Sequence, residues 1–188
     1  VVYPGVNYIF QPEKNRTIRE ILKKYKISLP YILAVAKNDP RKNLDRIINA
    51  FKKSSLHISL VIVTGEGWGR EIKEEKNLKL LRNVKASELP SVYGSASMLV
   101  YPSLYEGFGL PVIEAMTCSC PVITSQNGSL KEVAGDAALF VDPFSEDDIS
   151  EKILKLYSDK KLRKKLIAKG LENACRFSWK KSAQKIIS

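Results

Sequence analysis

The chain has 188 residues, 44% of them hydrophobic, and a formal net charge of +11. This length and composition suit one ordinary domain with its own core. No stretch approaches the roughly 20 consecutive apolar residues of a membrane-spanning helix, and the opening residues VVYPGVN lack a secretory signal pattern. We therefore expect a cytoplasmic protein. Because the chain starts at valine and reaches a Pro-Gly pair at once, we also expect it to be one half of a longer polypeptide.

Helical and apolar segments alternate along the chain, which is typical of a parallel sheet covered by helices. Apolar residues spaced three and four apart predict helices over 13–26, 44–51, 89–93 and 159–175, and Ser178 is the expected N-cap of a final helix. Val- and Ile-rich runs predict buried strands at YILAVA (31–36), ISLVIVTG (58–65), SMLVYPS (97–103), PVITS (121–125) and ALFVDP (138–143). The predicted fold is α/β, a single Rossmann-like domain with a doubly wound parallel sheet and C-terminal helices. Such sheets bind ligands beyond the carboxyl ends of their strands.

Two loops at predicted strand ends carry lysine and glycine. In KNDPRKN, Lys37 ends the first strand and Lys42 precedes the next helix, so both ammonium groups can meet an anion such as phosphate. A polar turn built on Asp39-Pro40 explains the same loop equally well. The loop TGEGWG, which contains Gly65, either lets backbone approach a ligand or merely reverses the chain, because it matches neither GxGxxG nor a P-loop.

The segment YEGFGLPVIEAM places two glutamates around a glycine loop and a helix start. Pro111 suits the first position of that helix, and its N-terminus would favour negative charge beside the loop. Glu106 then lies in the loop and Glu114 one turn into the helix, so the two acids can flank one site. A carboxylate beside a phosphate site can accept ligand hydroxyls in a bidentate fashion. The implied ligand is a sugar diphosphate attached to a nucleoside.

The three cysteines are Cys118, Cys120 and Cys175. Four zinc ligands cannot be assembled convincingly from them and the lone His57, so we expect small residues in a tight turn and no metal. The same single histidine argues against a Ser, His and Asp arrangement.

The positive charge is concentrated at the end of the chain, where residues 151–188 hold 12 Lys or Arg and 3 Asp or Glu. A solvated lysine-rich helix face is the ordinary interpretation. Peripheral contact with an anionic membrane is the second, because each basic residue near such a surface contributes roughly 1 kcal/mol. Nucleic acid is not an expected partner, since few aromatic side chains and no recognition motif accompany the lysines.

The segment from Tyr101 to Pro143 resembles the donor-binding half of family-four (group 1) retaining glycosyltransferases, which have the two-domain GT-B fold. Their marker, two glutamates separated by seven residues, is here Glu106 and Glu114 within PSLYEGFGLPVIEAM. The resemblance extends through CPVITS and SLKEVAGDAALFVDP to FSWKKSAQKI, and back to the lysine loop. It covers essentially the whole chain, with 1–12 similar to the hinge between GT-B domains and 178–188 forming a C-terminal helix.

The resemblance implies a role for each matching residue. Glu106 would accept hydroxyls of the donor sugar, and Glu114 would hold the ribose. Lys37 and Lys42 would neutralise the diphosphate leaving group, although the family usually has arginine at the first position and glycine where Asn43 follows the second. Other donor contacts would come from backbone around the sugar and diphosphate and from residues bordering the base, namely Gly107, Phe108, Gly109, Leu110, Val84 and Lys85.

The sequence therefore predicts the nucleotide-sugar-binding C-terminal domain of a retaining hexosyltransferase that needs no metal or other cofactor. The resemblance implies GDP-mannose or a UDP-sugar as donor, and SLKEVAGDAALFVDP looks most like the segment in mannosyltransferases that use GDP-mannose. The expected partner is a missing N-terminal acceptor-binding domain, without which the fragment should be inactive. The alternative is a non-catalytic or split-subunit module that binds nucleotide-sugars.

Overall fold

The structure is a computed structural model that describes residues 2–65, 67–69 and 71–187. Three predictions touch residues outside this set: Val1 begins the hinge segment, Glu66 belongs to TGEGWG, and Ser188 ends the C-terminal helix.

A single parallel sheet with helices on both faces forms the domain, which confirms the predicted fold class. The described strands are β1 (Tyr31–Val35), β2 (Ser59–Val63), β3 (Leu78–Leu81), β4 (Met98–Tyr101), β5 (Val122–Ser125) and β6 (Ala138–Val141). The described helices are α1 (Asn15–Lys24), α2 (Leu44–Lys53), α3 (Leu89–Ser95), α4 (Leu110–Thr117), α5 (Leu130–Ala134), α6 (Glu146–Ser158), α7 (Lys160–Ala174) and α8 (Trp179–Ile187). Short 3-10 turns at Pro40–Lys42 and Ala86–Glu88 precede α2 and α3.

The strand order is β3-β2-β1-β4-β5-β6, so the chain winds outward from β1 and then returns to β4 beside it. Leu33 pairs with Val61 on one side and with Leu99 on the other, and these pairings are parallel. The order therefore reverses between β1 and β4. Because helices leave the two strands on opposite sides there, a crevice opens at their carboxyl ends.

Two apolar layers cover the sheet, and alternate strand residues supply them. Leu33 and Leu99 face the layer that contains α1, α3, α4 and α5, whereas Ile32 and Met98 face the layer that contains α2 and α6. Strands buried on both faces must be apolar at nearly every position. This requirement explains the continuous runs in the sequence.

The N-terminal segment and the C-terminal helix pack against each other. Val6 N donates to Phe177 O over 3.2 Å, and Ser182 Oγ donates to the Tyr3 carbonyl. A Cβ on Gly5 would lie 2.2 Å from Trp179 N, so only glycine fits this crossing. The segment that resembles a hinge is thus tied to the start of α8.

Three details differ from the sequence expectation. The edge strand β3 was not among the predicted apolar runs. Helix α4 begins at Leu110, which makes Pro111 its second residue and corrects its predicted first position. Three described helices follow the last strand, and the predicted helices start only at 159, so α6 has no counterpart among them; Asp159 separates α6 from α7 as the N-cap of α7, accepting from Leu162 N over 2.8 Å.

Candidate functional site

The loops that follow β1 and β4 are joined at the point where the strand order reverses. Leu104 N and Ser103 Oγ both donate to Arg41 O, over 2.8 and 2.9 Å. Asn43 Nδ2 donates to Pro102 O over 3.0 Å and to Pro143 O over 2.6 Å. The lysine loop is therefore fixed to the ends of β4 and β6.

Asn43 explains how the chain departs from the glycine expected by family resemblance. Its φ is +63°, in the left-handed region that glycine adopts at no steric cost. Among other residues asparagine tolerates this region best, and here its buried amide also bonds two carbonyls.

Lys42 and Glu106 meet in the crevice. Lys42 Nζ lies 2.6 Å from Glu106 Oε1, and the two side chains are only 21% and 9% exposed. Tyr101, the last residue of β4, donates its hydroxyl to the same Oε1 over 2.6 Å and lies 3.3 Å from Lys42 Nζ. The site therefore holds a positive and a negative group side by side.

Glu114 projects from α4 toward α3, where the Tyr93 hydroxyl donates to its Oε2 over 2.9 Å. Burial raises the pKa of Glu114, and the hydrogen bond from Tyr93 opposes part of that rise. Ser91 Oγ is the one buried side-chain oxygen or nitrogen without a partner in the described residues. Glu114 Oε1 and Glu106 Oε2 accept no hydrogen bond from the described residues, and neither is fully buried.

The glycine loop is fixed by packing on one side and has open space on the other. Ser129 Oγ donates to Phe108 O over 2.8 Å, and a Cβ on Gly109 would lie 2.6 Å from Leu130 Cδ2 at a φ of +96°. A Cβ on Gly107 would meet nothing within 4 Å. Packing therefore requires glycine at 109, whereas the space beside Gly107 is free for a ligand.

The first turn of α4 adjoins this open space. Leu110 begins the helix and is 42% exposed, and no side chain in the described part of the molecule caps the helix N-terminus. Uncapped amides at such a terminus favour an anion. The Phe108 ring points away from this space into an aromatic cluster, with its centroid 5.7 Å from that of Phe177 and 6.3 Å from that of Tyr3.

Lys37 lies on the neighbouring side of the crevice. It is exposed and adjoins Gly65, whose Cβ would lie 4.0 Å from Lys37 Cγ. Gly65 also lines a cavity of about 550 Å³ beyond β1, β2 and β3. The structure thus brings Lys42 to Glu106 but leaves Lys37 with the second loop.

Val84 and Lys85 follow β3 directly. Val84 is half-buried and packs against the layer that contains α3, whereas Lys85 is exposed. The residues just before them, Arg82 and Asn83, line the same cavity as Gly65. The positions expected to border the base therefore lie at this end of the sheet, but no recorded contact joins them to Glu114.

The cysteines occupy the places expected of small packing residues. Cys118 and Cys120 are buried between α4 and β5, and Cys175 is exposed. Burial raises the pKa of the Cys118 thiol to about 12. Across the described ranges, no group of three or more His, Cys, Asp or Glu residues is arranged to hold a metal ion. No helix within those ranges has the length and apolar character needed to cross a membrane.

Sequence reasoning missed the two tyrosines of the site. The helical spacing over 89–93 accounts for Tyr93 only as an apolar position, and the run SMLVYPS accounts for Tyr101 only as part of a strand. The available signal was chemical, because a buried tyrosine needs a partner for its hydroxyl. Nothing in the local spacing indicates that the partners are the two glutamates.

Comparison with solved structures identifies the fold as that of the C-terminal domain of GT-B glycosyltransferases. The match to Anabaena HepE, solved in complex with UDP and glucose, covers 100% of this chain and 55% of the HepE chain, with a TM-score of 0.86 and 18% identity. The C-terminal domain of a glycosyl transferase group 1 family protein (LpcC) from Francisella tularensis matches 89% of this chain and 95% of its own, with a TM-score of 0.74 and 26% identity.

Sequence comparison then gives the family. Residues 15–173 match the glycosyl transferases group 1, and the chain belongs to that family. It is 35% identical over 181 residues to O-antigen chain mannosyltransferase B of Escherichia coli, covering 89% of this chain and 48% of that protein. It is 34% identical over 153 residues to an uncharacterised glycosyltransferase of Methanocaldococcus jannaschii, covering 76% and 42%. The chain thus spans about half the length of these curated relatives or less.

Proposed function

We propose that this domain binds a nucleotide-diphospho-sugar donor and presents it for retaining, metal-independent glycosyl transfer. The observation that carries the proposal is the meeting of Lys42, Glu106 and the uncapped start of α4 at the reversal of strand order. Membership of the glycosyltransferase family and the UDP complex of HepE, which has the same fold, add support.

Each charged group has one part of the donor to bind. Glu106 accepts sugar hydroxyls, and the backbone from Gly107 to Leu110 surrounds the sugar and diphosphate. Glu114 accepts the ribose hydroxyls through its open oxygen. Lys42 turns from Glu106 to the diphosphate, a stronger anionic partner, with Lys37 approaching from the other side of the crevice.

Stabilisation of the leaving diphosphate is the main chemical requirement of the reaction. As the bond from the sugar to phosphate breaks, negative charge grows on the diphosphate while the sugar becomes oxocarbenium-like. Lys42, once it has turned to the diphosphate, and the preorganised α4 N-terminus stabilise that charge without a metal ion. A glycosidase mechanism suits the site less well, because it needs two carboxylates facing each other across the scissile bond and has no use for a phosphate site.

Transfer also requires a place for the acceptor, and we assign it to an N-terminal domain that precedes this chain. This assignment agrees with the chain spanning 48% of the E. coli mannosyltransferase. We expect the 188-residue chain to bind donor nucleotides but to transfer nothing measurable. Sustained transfer by this chain alone would contradict the assignment.

Calorimetric titration with GDP, UDP, ADP and their sugar forms tests the binding proposal. We expect one nucleotide to bind with a micromolar to millimolar Kd, and Glu114→Ala and Lys42→Ala each to weaken it. Because the chain is similar to mannosyltransferases, we propose GDP-mannose as the first donor to test, with UDP-sugars as the alternative. If folded protein binds none of these nucleotides, both the proposal and its alternative, a non-catalytic nucleotide-sugar-binding module, are wrong.

We further propose that the basic C-terminal helices rest against the anionic inner face of a membrane. Exposed lysines cluster on α7, and Trp179 at the start of α8 is 60% exposed, so charge and an interfacial aromatic side chain occur on adjacent helices. Co-sedimentation with phosphatidylglycerol vesicles should exceed that with phosphatidylcholine vesicles and fall with salt. Equal binding to both vesicle types would refute the contact.

A further inference from the structure

Two buried tyrosines contact the two glutamates of the candidate site in the same way. Tyr93, on α3, donates to Glu114 Oε2 over 2.9 Å. Tyr101, at the end of β4, donates to Glu106 Oε1 over 2.6 Å. The tyrosines come from different elements and different points in the sequence, so neither contact follows from the spacing of the glutamates.

Both hydroxyls act as hydrogen-bond donors. Tyr93 is 0% exposed and Tyr101 2% exposed, and burial followed by the nearby glutamate charge raises the pKa of each phenol above its ordinary value. The phenols therefore stay protonated at any working pH. A protonated phenol beside a carboxylate fixes one of its oxygens by a charge-assisted hydrogen bond.

We propose that Tyr93 and Tyr101 are positioning residues that hold Glu114 and Glu106 with one carboxylate oxygen fixed and the other presented to donor hydroxyls. This inference rests on the proposed function. In each carboxylate the oxygen opposite the tyrosine accepts no hydrogen bond from the described residues and is not fully buried. Ordering these side chains before the ligand arrives removes part of the entropic cost of binding.

Tyr101 has a second consequence, because Lys42 donates both to the Tyr101 hydroxyl oxygen and to the Glu106 oxygen that Tyr101 holds. Lys42 Nζ is 2.6 Å from Glu106 Oε1 and 3.3 Å from the Tyr101 oxygen. When a diphosphate draws the ammonium group away, Glu106 loses its ionic partner but keeps the Tyr101 hydrogen bond. Glu106 then stays in place while its charge becomes available to the sugar.

The proposal assigns each tyrosine to a different part of the donor, which allows a crossed experiment. Affinities for GDP, 2′-deoxy-GDP and GDP-mannose, with the uridine series in parallel, are measured by calorimetry on the wild-type chain and on Tyr93→Phe and Tyr101→Phe. We expect Tyr93→Phe to reduce the preference for ribose over 2′-deoxyribose by about fivefold, the size of one lost hydrogen bond. We expect Tyr101→Phe to reduce the gain in affinity from mannose by a similar factor and to leave the ribose preference unchanged.

Tyr31→Phe is the matched control. Tyr31 is also fully buried, and its hydroxyl donates to Val92 O over 2.5 Å and lies 2.8 Å from Ser95 Oγ, both on α3. It therefore supports the helix that carries Tyr93 but contacts neither glutamate, and it begins β1 at the opposite end of the sheet from the crevice. It should lower the melting temperature while changing neither preference. Thermal unfolding of every variant shows which are folded, and if Tyr93→Phe does not fold, the sugar-specific loss in Tyr101→Phe decides alone.

The outcomes separate this inference from the function on which it rests. Absence of nucleotide binding by folded wild-type chain defeats the proposed function. Normal wild-type binding with unchanged preferences in the Tyr93 or Tyr101 variant overturns the positioning role alone. Equal losses for every ligand in all three tyrosine variants also overturn it, because they would show that the hydroxyls support only the fold.

Discussion

Replacement of Asn43 by alanine and by glycine tests how the lysine loop is held. Alanine removes the two buried hydrogen bonds to the carbonyls of Pro102 and Pro143, at about 1 kcal/mol each. It also removes the bond that Arg46 Nη1 donates to Asn43 Oδ1, which we leave out of the sum because the arginine can turn to water instead. Alanine also has to adopt a φ of +63° without the polar side chain that lets asparagine tolerate this region, which costs about 1 kcal/mol more. We therefore expect Asn43→Ala to lower the free energy of unfolding by about 3 kcal/mol.

Glycine separates the two contributions. Asn43→Gly loses the same hydrogen bonds but adopts the left-handed conformation freely, so its cost should be smaller by roughly 0.5 to 1 kcal/mol after allowance for unfolded-chain entropy. For a chain of 188 residues, each 1 kcal/mol corresponds to about 2 to 4 °C in melting temperature. Alanine should therefore lower the melting temperature by about 6 to 12 °C, and glycine by less.

Thermal and urea unfolding followed by circular dichroism measure both variants, with Asn49→Ala as control. Asn49 is exposed on α2 and bonds only Glu146 among the described residues, so its loss should change stability by less than about 0.5 kcal/mol. The reasoning fails if Asn43→Gly is destabilised more than Asn43→Ala. It also fails if both variants have the same melting temperature as the wild type.

Other changes around the crevice separate folding from binding. Gly109→Ala should lower the melting temperature, because its Cβ would lie 2.6 Å from Leu130 Cδ2. Gly107→Ala should change the free energy of unfolding by less than about 0.5 kcal/mol, because its Cβ would enter open space. The same Cβ should weaken the binding of nucleotide-sugar measured by titration, and an unchanged affinity would count against donor binding there. Lys42→Ala should flatten the salt dependence of nucleotide affinity measured at two ionic strengths. Because burial raises the pKa of Glu114, nucleotide affinity should fall on acidification at a pH above the usual carboxyl range, and Glu114→Gln should remove that step.

The sequence predicted the fold well where burial leaves a strong pattern. Strands such as β1 are covered on both faces, so their composition alone distinguishes them. The edge strand β3 is absent from the apolar runs because only Leu78 and Leu81 of its four residues are buried. Its pairing with β2 depends on tertiary structure that no short apolar pattern reports.

The candidate site was predictable in its charged groups but not in their arrangement. Glycines and a helix start around Glu106 and Glu114 marked the acids as binding groups, and parallel-sheet geometry placed Lys42 nearby. Lys37 belongs to the same loop as Lys42 but lies instead beside Gly65. The difference arises because the turn at Pro40–Lys42 redirects the chain after the strand, so two lysines of one loop point to different sides of the crevice.

The same limit applies to the tyrosines, and it has a physical cause. A side chain that supports a ligand-binding acid must be buried to be rigid, and a buried residue is counted as core by any pattern of hydrophobicity. Tyr93 and Tyr101 satisfy the core pattern with their rings and the site with their hydroxyls. Substitution by phenylalanine separates the two roles, since it keeps the ring and removes only the group that holds the glutamate. The size of the resulting loss of ligand preference therefore measures how much of the site's affinity comes from preorganisation by the core.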